Sequence, residues 1–210
     1  MSFWNSKRKI ALLTAAALAL LLCAGCAGNG GTQHATPSSS LSETGQDQYH
    51  TSPVPDGKPL PVEPQDAKIS ALAYTCTLSV SCSTILDNLK KLDAAKTALV
   101  PDDGWILPPT QVVFYEGESV FHVLQRTCKQ QKIHMEFQDT PIYNSAYIEG
   151  IQNLYEFDAG ELSGWMYSVN GWFPNYGCSR YQLKDGDTVC WVYTCDLGRD
   201  VGGDYSADNK

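Results

Sequence analysis

Six of the chain's eight cysteines and two of its four histidines fall in the part of the sequence that patterns as folded: Cys76, Cys82, Cys128, Cys178, Cys190, Cys195, His122 and His134. A thiol beside an imidazole is the arrangement for nucleophilic catalysis, and Cys128 with a histidine is the pair to consider. Cys128, however, falls on the apolar stripe of a helix, where a thiol is inert. Cys190 and Cys195 are separated by four residues, not the close spacing of a zinc knuckle, and an oxidising compartment favours disulfides over thiolate ligands. Asp196, Asp200, Asp204 and Asp208 recur every four residues near the C-terminus. They lack the Asp-x-Asp-x-Asp-Gly loop of a calcium site and read as a solvated tail. No Gly-x-Ser-x-Gly, His-Glu-x-x-His or phosphate-binding glycine loop occurs. No catalytic residue and no metal ligand is therefore assigned.

The remaining chemistry is aromatic and concentrated in residues 165–193, which hold three of the five Trp together with Tyr167, Tyr176, Tyr181 and Tyr193. Asn170-Gly171 between two aromatic, alternating runs predicts a two-residue hairpin, because both turn positions must accept positive φ. In that hairpin Trp165, Tyr167 and Val169 share a face, Trp172 opposes Val169, and Phe173 opposes Ser168. Lys184-Asp185-Gly186-Asp187 predicts a second turn into a closing strand, with Val189, Trp191 and Tyr193 on one face. Trp165 and Trp191 read as structural. Asn170, Trp172, Phe173, Asn175 and Tyr176 are the candidate ligand-binding residues, since aromatic rings with nearby amides suit a flat-ring ligand, a sugar or a protein partner. The competing reading, of equal weight, is a small core in which Trp172, Phe173, Tyr176 and Tyr181 pack under the 174–177 loop.

The elements that must position these rings begin near residue 67. Residues 69–82 predict a strand with Cys76, Leu78, Val80 and Cys82 on one face. Cys76 and Cys82 would lie roughly 20 Å apart along it, too far to bond to each other. Residues 83–99 have helical spacing, with Ile85, Leu86, Leu89 and Leu92 on one side and Ser83 or Thr84 as cap. Residues 105–107 and 111–115 read as strand interrupted by Pro108-Pro109, which suits an edge or a hairpin bend. Ser119 caps a helix with His122 at its third position and Val120, Phe121, Leu124 and Cys128 as its stripe. Residues 133–137, 147–151 and 153–157 read as further strands.

Upstream, residues 1–9 are basic and 10–22 apolar and uncharged, followed by Cys23-Ala24-Gly25-Cys26. This resembles a bacterial lipoprotein signal peptide over 1–25, with Cys26 as the lipidated residue, although Cys23 stands where such signals favour Leu. A plain secretory signal and an uncleaved anchor helix are the alternatives, and export follows from all three. Residues 26–66 are rich in Gly, Ser and Pro, bury too little to offset ordering entropy, and predict a disordered tether. Exported cysteines lead to an expectation of one or more disulfides, with the pairing open; several small buried thiols are the alternative. The net charge of −8 argues against nucleic acid as partner, because phosphate binding needs basic patches.

Strand, strand, helix, then strands ending in a closing one is the β-grasp order, an α+β fold in which a mixed sheet packs on one main helix. Phe114-Tyr115-Glu116-Gly117-Glu118-Ser119-Val120, Tyr147-Ile148 with Gly150, Gly164-Trp165-Met166-Tyr167-Ser168-Val169-Asn170-Gly171, and Leu183-Lys184-Asp185-Gly186-Asp187-Thr188-Val189 occur in the order that resembles the transcobalamin C-terminal-like domain. The resemblance covers roughly residues 112–193. It implies a soluble-ligand-binding β-grasp module, with a corrinoid such as cobalamin as bound ligand rather than a cofactor. The large helical-barrel domain that accompanies it in transcobalamins has no counterpart here, so no cobalamin-contact residue is carried over.

The sequence thus divides into a signal peptide (1–25), a tether (26–66), a strand and helix extension (67–111), the β-grasp domain (112–198) and an acidic flexible tail (199–210). The expected protein is a non-enzymatic binding module anchored at the bacterial surface through Cys26, taking a small molecule. The alternative is an adhesion module that docks a surface protein or glycan through the aromatic loop.

Overall fold

The computed structural model describes Tyr49 and residues 52–203. The expected signal peptide, Cys26, most of the tether and residues 204–210 lie outside the described residues. The architecture is α+β, with a four-stranded and a three-stranded sheet and one main helix. β1 (Ala73–Ser81) pairs antiparallel with β2 (Trp105–Tyr115) and parallel with β7 (Thr188–Thr194), which pairs antiparallel with β6 (Gly164–Val169). An N-terminal hairpin whose first strand runs parallel to the last strand is the β-grasp arrangement. β1 is thus an interior strand of the sheet, not an extension of it. The second sheet is β3 (Met135–Thr140), β4 (Ser145–Ile151) and β5 (Leu154–Tyr155), in that order and antiparallel.

Alternation in β1 does what its pattern requires. Cys76, Leu78 and Val80 are buried, and the register carries their face across the sheet to Val189, Trp191 and Tyr193, then to Val169, Tyr167 and Trp165. β2 runs unbroken through Pro108 and Pro109, which is possible because it is an edge strand and the register with β1 shifts where the prolines fall. The main helix, α2 (Val120–Gln131), starts at a capping box in which the Ser119 hydroxyl accepts from the His122 amide and His122 Nδ1 accepts from the Ser119 amide. Val120, Val123, Leu124 and Cys128 enter the core, while Phe121 is half-buried. The turn before α2 is fixed by Glu118, whose Oε2 accepts from the Tyr115 amide at 2.7 Å and from Arg126 Nη2 at 2.9 Å.

The helix expected over 83–99 is not continuous. It breaks into α1 (Ser83–Leu86) and two 3₁₀ turns, Leu89–Lys91 and Ala94–Leu99. Polar side chains compete for the backbone: Asn88 donates to the Thr84 carbonyl at 2.9 Å, and Asp93 accepts from Ala95 to start a new turn. Neither Ser83 nor Thr84 caps α1; Cys82 occupies that position and the Thr84 hydroxyl bonds the Tyr193 carbonyl.

Two further expectations change at the ends of the domain. Residues 52–66, expected to be part of a disordered tether, lie as a strap against the fold, with Val62 N–H donating to Arg180 O at 2.9 Å. Arg180 is fully buried, and its Nη2 meets Glu63 Oε1 at 2.6 Å. At the other end Asp200 is not a free acid of a flexible tail. It accepts from the Cys195 amide at 2.7 Å and from the Thr194 hydroxyl, inside a 3₁₀ turn at Arg199–Val201. All six cysteines of the described part stand as free thiols, so no disulfide forms among them, against the expectation.

Candidate functional site

The Asn170-Gly171 turn forms as expected, with φ of 52° and 76° and reciprocal bonds between Val169 and Trp172 of 2.8 and 3.0 Å. Its second arm goes no further as a strand. Pro174 follows two residues on, and β7 takes the place opposite β6, so Ser168 faces Cys190 and not Phe173. The chain beyond Trp172 therefore folds back as a loop over the core face.

That loop makes the aromatic core that competed with the binding surface. Tyr176 and Tyr181 are buried and stack at 6.1 Å, and Trp172 meets both at 6.0 and 6.4 Å. The strap covers the cluster from outside. Tyr176 O–H donates to Pro59 O at 2.8 Å, and the Lys58 ammonium lies 5.4 Å from the centroid of the Trp172 ring. Burial, then the neighbouring Tyr181, push the Tyr176 phenol above the usual tyrosine range.

Between the two sheets lies a cavity of about 990 Å³. Ser145 to Ile148 of β4 form one wall, and Trp165 to Tyr167 of β6 with Trp191 of β7 form the facing one. The 174–178 loop and Ser52, Pro53 and Pro55 of the strap complete the lining. The loop reaches β4 only because residue 177 is glycine: a Cβ there would sit 2.0 Å from Ser145 Oγ. A second, apolar cavity of about 520 Å³ shares Tyr147, Trp165 and Met166 with the first.

The lining of the larger cavity has no Asp, Glu, Lys, Arg or His. Its one thiol, Cys178, is buried, held by a bond to Ala146 O at 3.5 Å, and pushed up to about 12 by burial. Most of its hydroxyls are already committed to protein groups. Tyr167 O–H donates to Tyr176 O at 2.7 Å, Thr140 to Ser145 O at 2.6 Å, and Tyr147 to Glu156. Ser145 and Ser179 share a bond of 2.8 Å. Two buried side-chain polar atoms of lining residues have no partner among the described residues: Asn175 Oδ1 and Trp191 Nε1.

The five candidate binding residues divide. Asn175 and Tyr176 line the cavity. Asn170 does not; its Nδ2 donates to Asp187 at 2.8 Å and its Oδ1 accepts from Thr188 N at 2.9 Å, which pins the turn to β7. Trp172 belongs to the aromatic core, and Phe173 packs against Gly203, where a Cβ would meet its ring at 2.9 Å. Sequence reasoning missed the β4 wall and the strap, and it treated Trp165 and Trp191 as purely structural although both also line the cavity. Their alternation marked a buried face, but nothing in that pattern separates a ring against core from a ring against a cleft. Outside the cavity, His122 is spent on the α2 cap, and His134 Nε2 lies 3.1 Å from Glu136 Oε1. No group of three or more His, Cys, Asp or Glu side chains that could hold a metal occurs among the described residues.

A sequence model for a domain of unknown function, DUF4430, matches residues 117–195. No curated protein matches the chain. Among solved structures, haptocorrin in complex with Cbi is similar at a TM-score of 0.45 and 15% identity, over 61% of this chain and 26% of that one. The chain therefore spans about a quarter of the haptocorrin's length. A protein from Ruminococcus gnavus, described as a candidate metal binding protein, is similar at a TM-score of 0.33 and 14% identity, over 58% of this chain and 96% of that one. At these scores neither likeness carries an argument about ligand.

Proposed function

We propose that this chain is a non-enzymatic module that holds a neutral, ring-bearing small molecule in the cleft between its two sheets. The observation that carries this reading is the cavity itself: about 990 Å³, walled by Trp165, Tyr167, Trp191 and prolines, with no acid, base or activated nucleophile among its lining residues. A volume near the top of the roughly 300–1,000 Å³ range for small-molecule sites suits a large ligand. A corrinoid is the first candidate, on the resemblance of residues 112–193 to the transcobalamin C-terminal-like domain. Anchoring at the bacterial surface through a lipidated Cys26 completes the proposal. The competing adhesion reading has less to stand on, because Tyr176 and Tyr181 are buried and the strap covers Trp172.

The test is calorimetric titration of the purified protein with cyanocobalamin, repeated on Ala146→Phe, which places a ring in the cavity. Binding to the wild type that is lost in a folded Ala146→Phe supports the cleft as the site. No heat up to high micromolar vitamin removes the corrinoid. Labelling with radioactive fatty acid tests the anchor, and label that persists in Cys26→Ser contradicts it.

A further inference from the structure

We propose that the smaller cavity, of about 520 Å³, is a binding site in its own right and takes a quaternary ammonium group. Hydrogen bonds close its rim. Tyr147 O–H of β4 donates to Glu156, Phe157 N–H donates to Ser163 O at 2.9 Å, and Leu197 N–H donates to Leu162 O at 2.9 Å. Trp165 and Met166 of β6 complete the wall. The volume falls within the roughly 300–1,000 Å³ range for small-molecule sites.

Large apolar side chains of the lining stand open to solvent. Phe157 is 62% exposed and Leu197 55%, and Tyr147 and Leu162 are exposed as well. Phe157 and Leu197 have φ of 67° and 49°, a left-handed backbone that bulky residues rarely adopt. Core packing accounts for neither side chain, since both stand in water. Backbone strain of this kind collects at ligand clamps.

The chemistry of the lining selects the ligand. Its neutral polar side chains are committed to protein partners. Besides Tyr147, the Trp165 indole donates to Leu154 O at 2.8 Å, Ser163 O–H to Gly160 O at 2.7 Å, and the Thr194 hydroxyl to Asp200. What the lining still offers is the rings of Tyr147, Phe157 and Trp165, aliphatic and thioether groups, and the negative charge of Glu156 and Glu161. Arg199, the cation among the described lining residues, is matched by Asp196, which accepts from its Nε at 3.0 Å. An aromatic cavity with excess negative charge fits a cation whose surface is apolar. A trimethylammonium group is such a cation: it has no N–H to satisfy, its methyl groups pack on rings, and its charge is attracted by rings and carboxylates alike. An anion is repelled, and a neutral isostere gains the packing without the charge.

The experiment uses protein labelled with ¹³C in the methionine methyl groups. Met166 is one of three methionines, and Met166→Leu identifies its resonance. Choline and its neutral isostere 3,3-dimethylbutanol are each titrated to high millimolar concentration. Choline is expected to shift the Met166 methyl and to bind about tenfold more tightly than the isostere. Phe157→Ala and Glu161→Gln, both at exposed positions, should each weaken choline about threefold or more. Met166 also borders the larger cleft, so Ala146→Phe, which fills that cleft alone, tells the two apart and should leave choline affinity unchanged. Once choline binds, vesicles of phosphatidylcholine separate the sources: a shift with choline alone assigns a free ligand, and a shift with both a lipid headgroup. Equal affinity for choline and the isostere overturns the proposal, as does choline binding unchanged in both Phe157→Ala and Glu161→Gln. Loss of choline binding in Ala146→Phe moves the cation to the larger cleft and overturns the separate site. A Met166 methyl that choline never moves overturns it too, and leaves the corrinoid titration to decide the larger cleft by itself.

Discussion

Removing Glu63 tests whether the strap is part of the fold. The Arg180 guanidinium is fully buried and pairs with Glu63 Oε1 at 2.6 Å, while Glu63 Oε2 accepts from Asn144 Nδ2 at 2.6 Å. Glu63→Ala takes one carboxylate away from a buried cation, a loss that costs roughly 3–5 kcal/mol where the pair is fully enclosed and has no other partner. The Glu63 side chain is 19% exposed, and Arg180 keeps the Tyr49 ring at 5.3 Å. Water and the remaining partners of Arg180 offset part of the loss, so the expected cost is about 2–3 kcal/mol. For a domain of this size that corresponds to a fall in Tm of about 4–12 °C. Because the lost contacts join the strap to the rest, opening of the strap should rise about 30-fold or more, and endoproteinase Asp-N should cut before the exposed Asp66 correspondingly faster. Thermal unfolding by circular dichroism and timed proteolysis measure the two effects, with Glu161→Ala, an exposed acid, as control. A Tm within about 1 °C of wild type and an unchanged rate of cleavage at Asp66 would refute the strap as a structural member.

Three further outcomes follow from the same geometry. Burial pushes Cys76, Cys82 and Cys128 up to about 11 and Cys178 to about 12, so iodoacetamide at pH 8 should modify only the half-buried Cys190 among these five in native protein; rapid native labelling of Cys178, or a disulfide in the mass spectrum, would contradict the structure. For Glu118, burial raises its pKa, but the Arg126 and Tyr115 hydrogen bonds and the Arg126 charge outweigh it and hold the carboxyl below 4.5. A depressed folded-state pKa gives stability that is present above the unfolded value and lost as pH falls through the folded one; the acid limb of a stability–pH curve below pH 4.5 should therefore flatten in Glu118→Gln, and an unchanged limb counts against the pair. Gly117 has φ of +87° and would place a Cβ 2.2 Å from Lys68 O, so Gly117→Ala should cost about 2 kcal/mol or more, read by urea unfolding; a cost under about 0.5 kcal/mol would mean that the turn before α2 moves freely.

The parts of the fold legible in the sequence are those where one periodicity or one cap decides the outcome. β1, β6 and β7 alternate cleanly, Asn170-Gly171 permits little but a tight turn, and Ser119 with His122 sets the start of α2. The 83–99 segment failed because its apolar spacing is helical while Asn88 and Asp93 offer the backbone better local partners. The strap failed for a different reason. Its composition buries little apolar surface, and it is held instead by Asn144, Asn175, Tyr176 and Arg180, donors 79 or more residues away in sequence. The candidate site was half legible on the same grounds: Asn175 and Tyr176 stood out as an amide beside a ring, but the β4 wall becomes part of the site only when the small sheet is set against the large one.

The span of the family match bears on what the cleft can be. Residues 117–195 begin after β2, so β1, β2 and the strap all lie outside it. Yet β1 sits between β2 and β7 and contributes Leu78 and Val80, both fully buried. Without it the backbone edge of β7 from Thr188 to Val192 would lack its parallel partner, and a hydrogen-bonding edge beside an apolar core is not a stable surface. The folding unit is therefore larger than the matched segment. The same holds for the site, because the matched residues supply β4, β6, β7 and the 174–178 loop, but the carbonyls that orient Asn175 come from Ser52 and Pro53. A chain sharing only the matched residues would keep Asn175 and lose the two carbonyls that its amide nitrogen meets. The contact at Asn175 thus belongs jointly to the matched segment and to the proline-rich strap that precedes it.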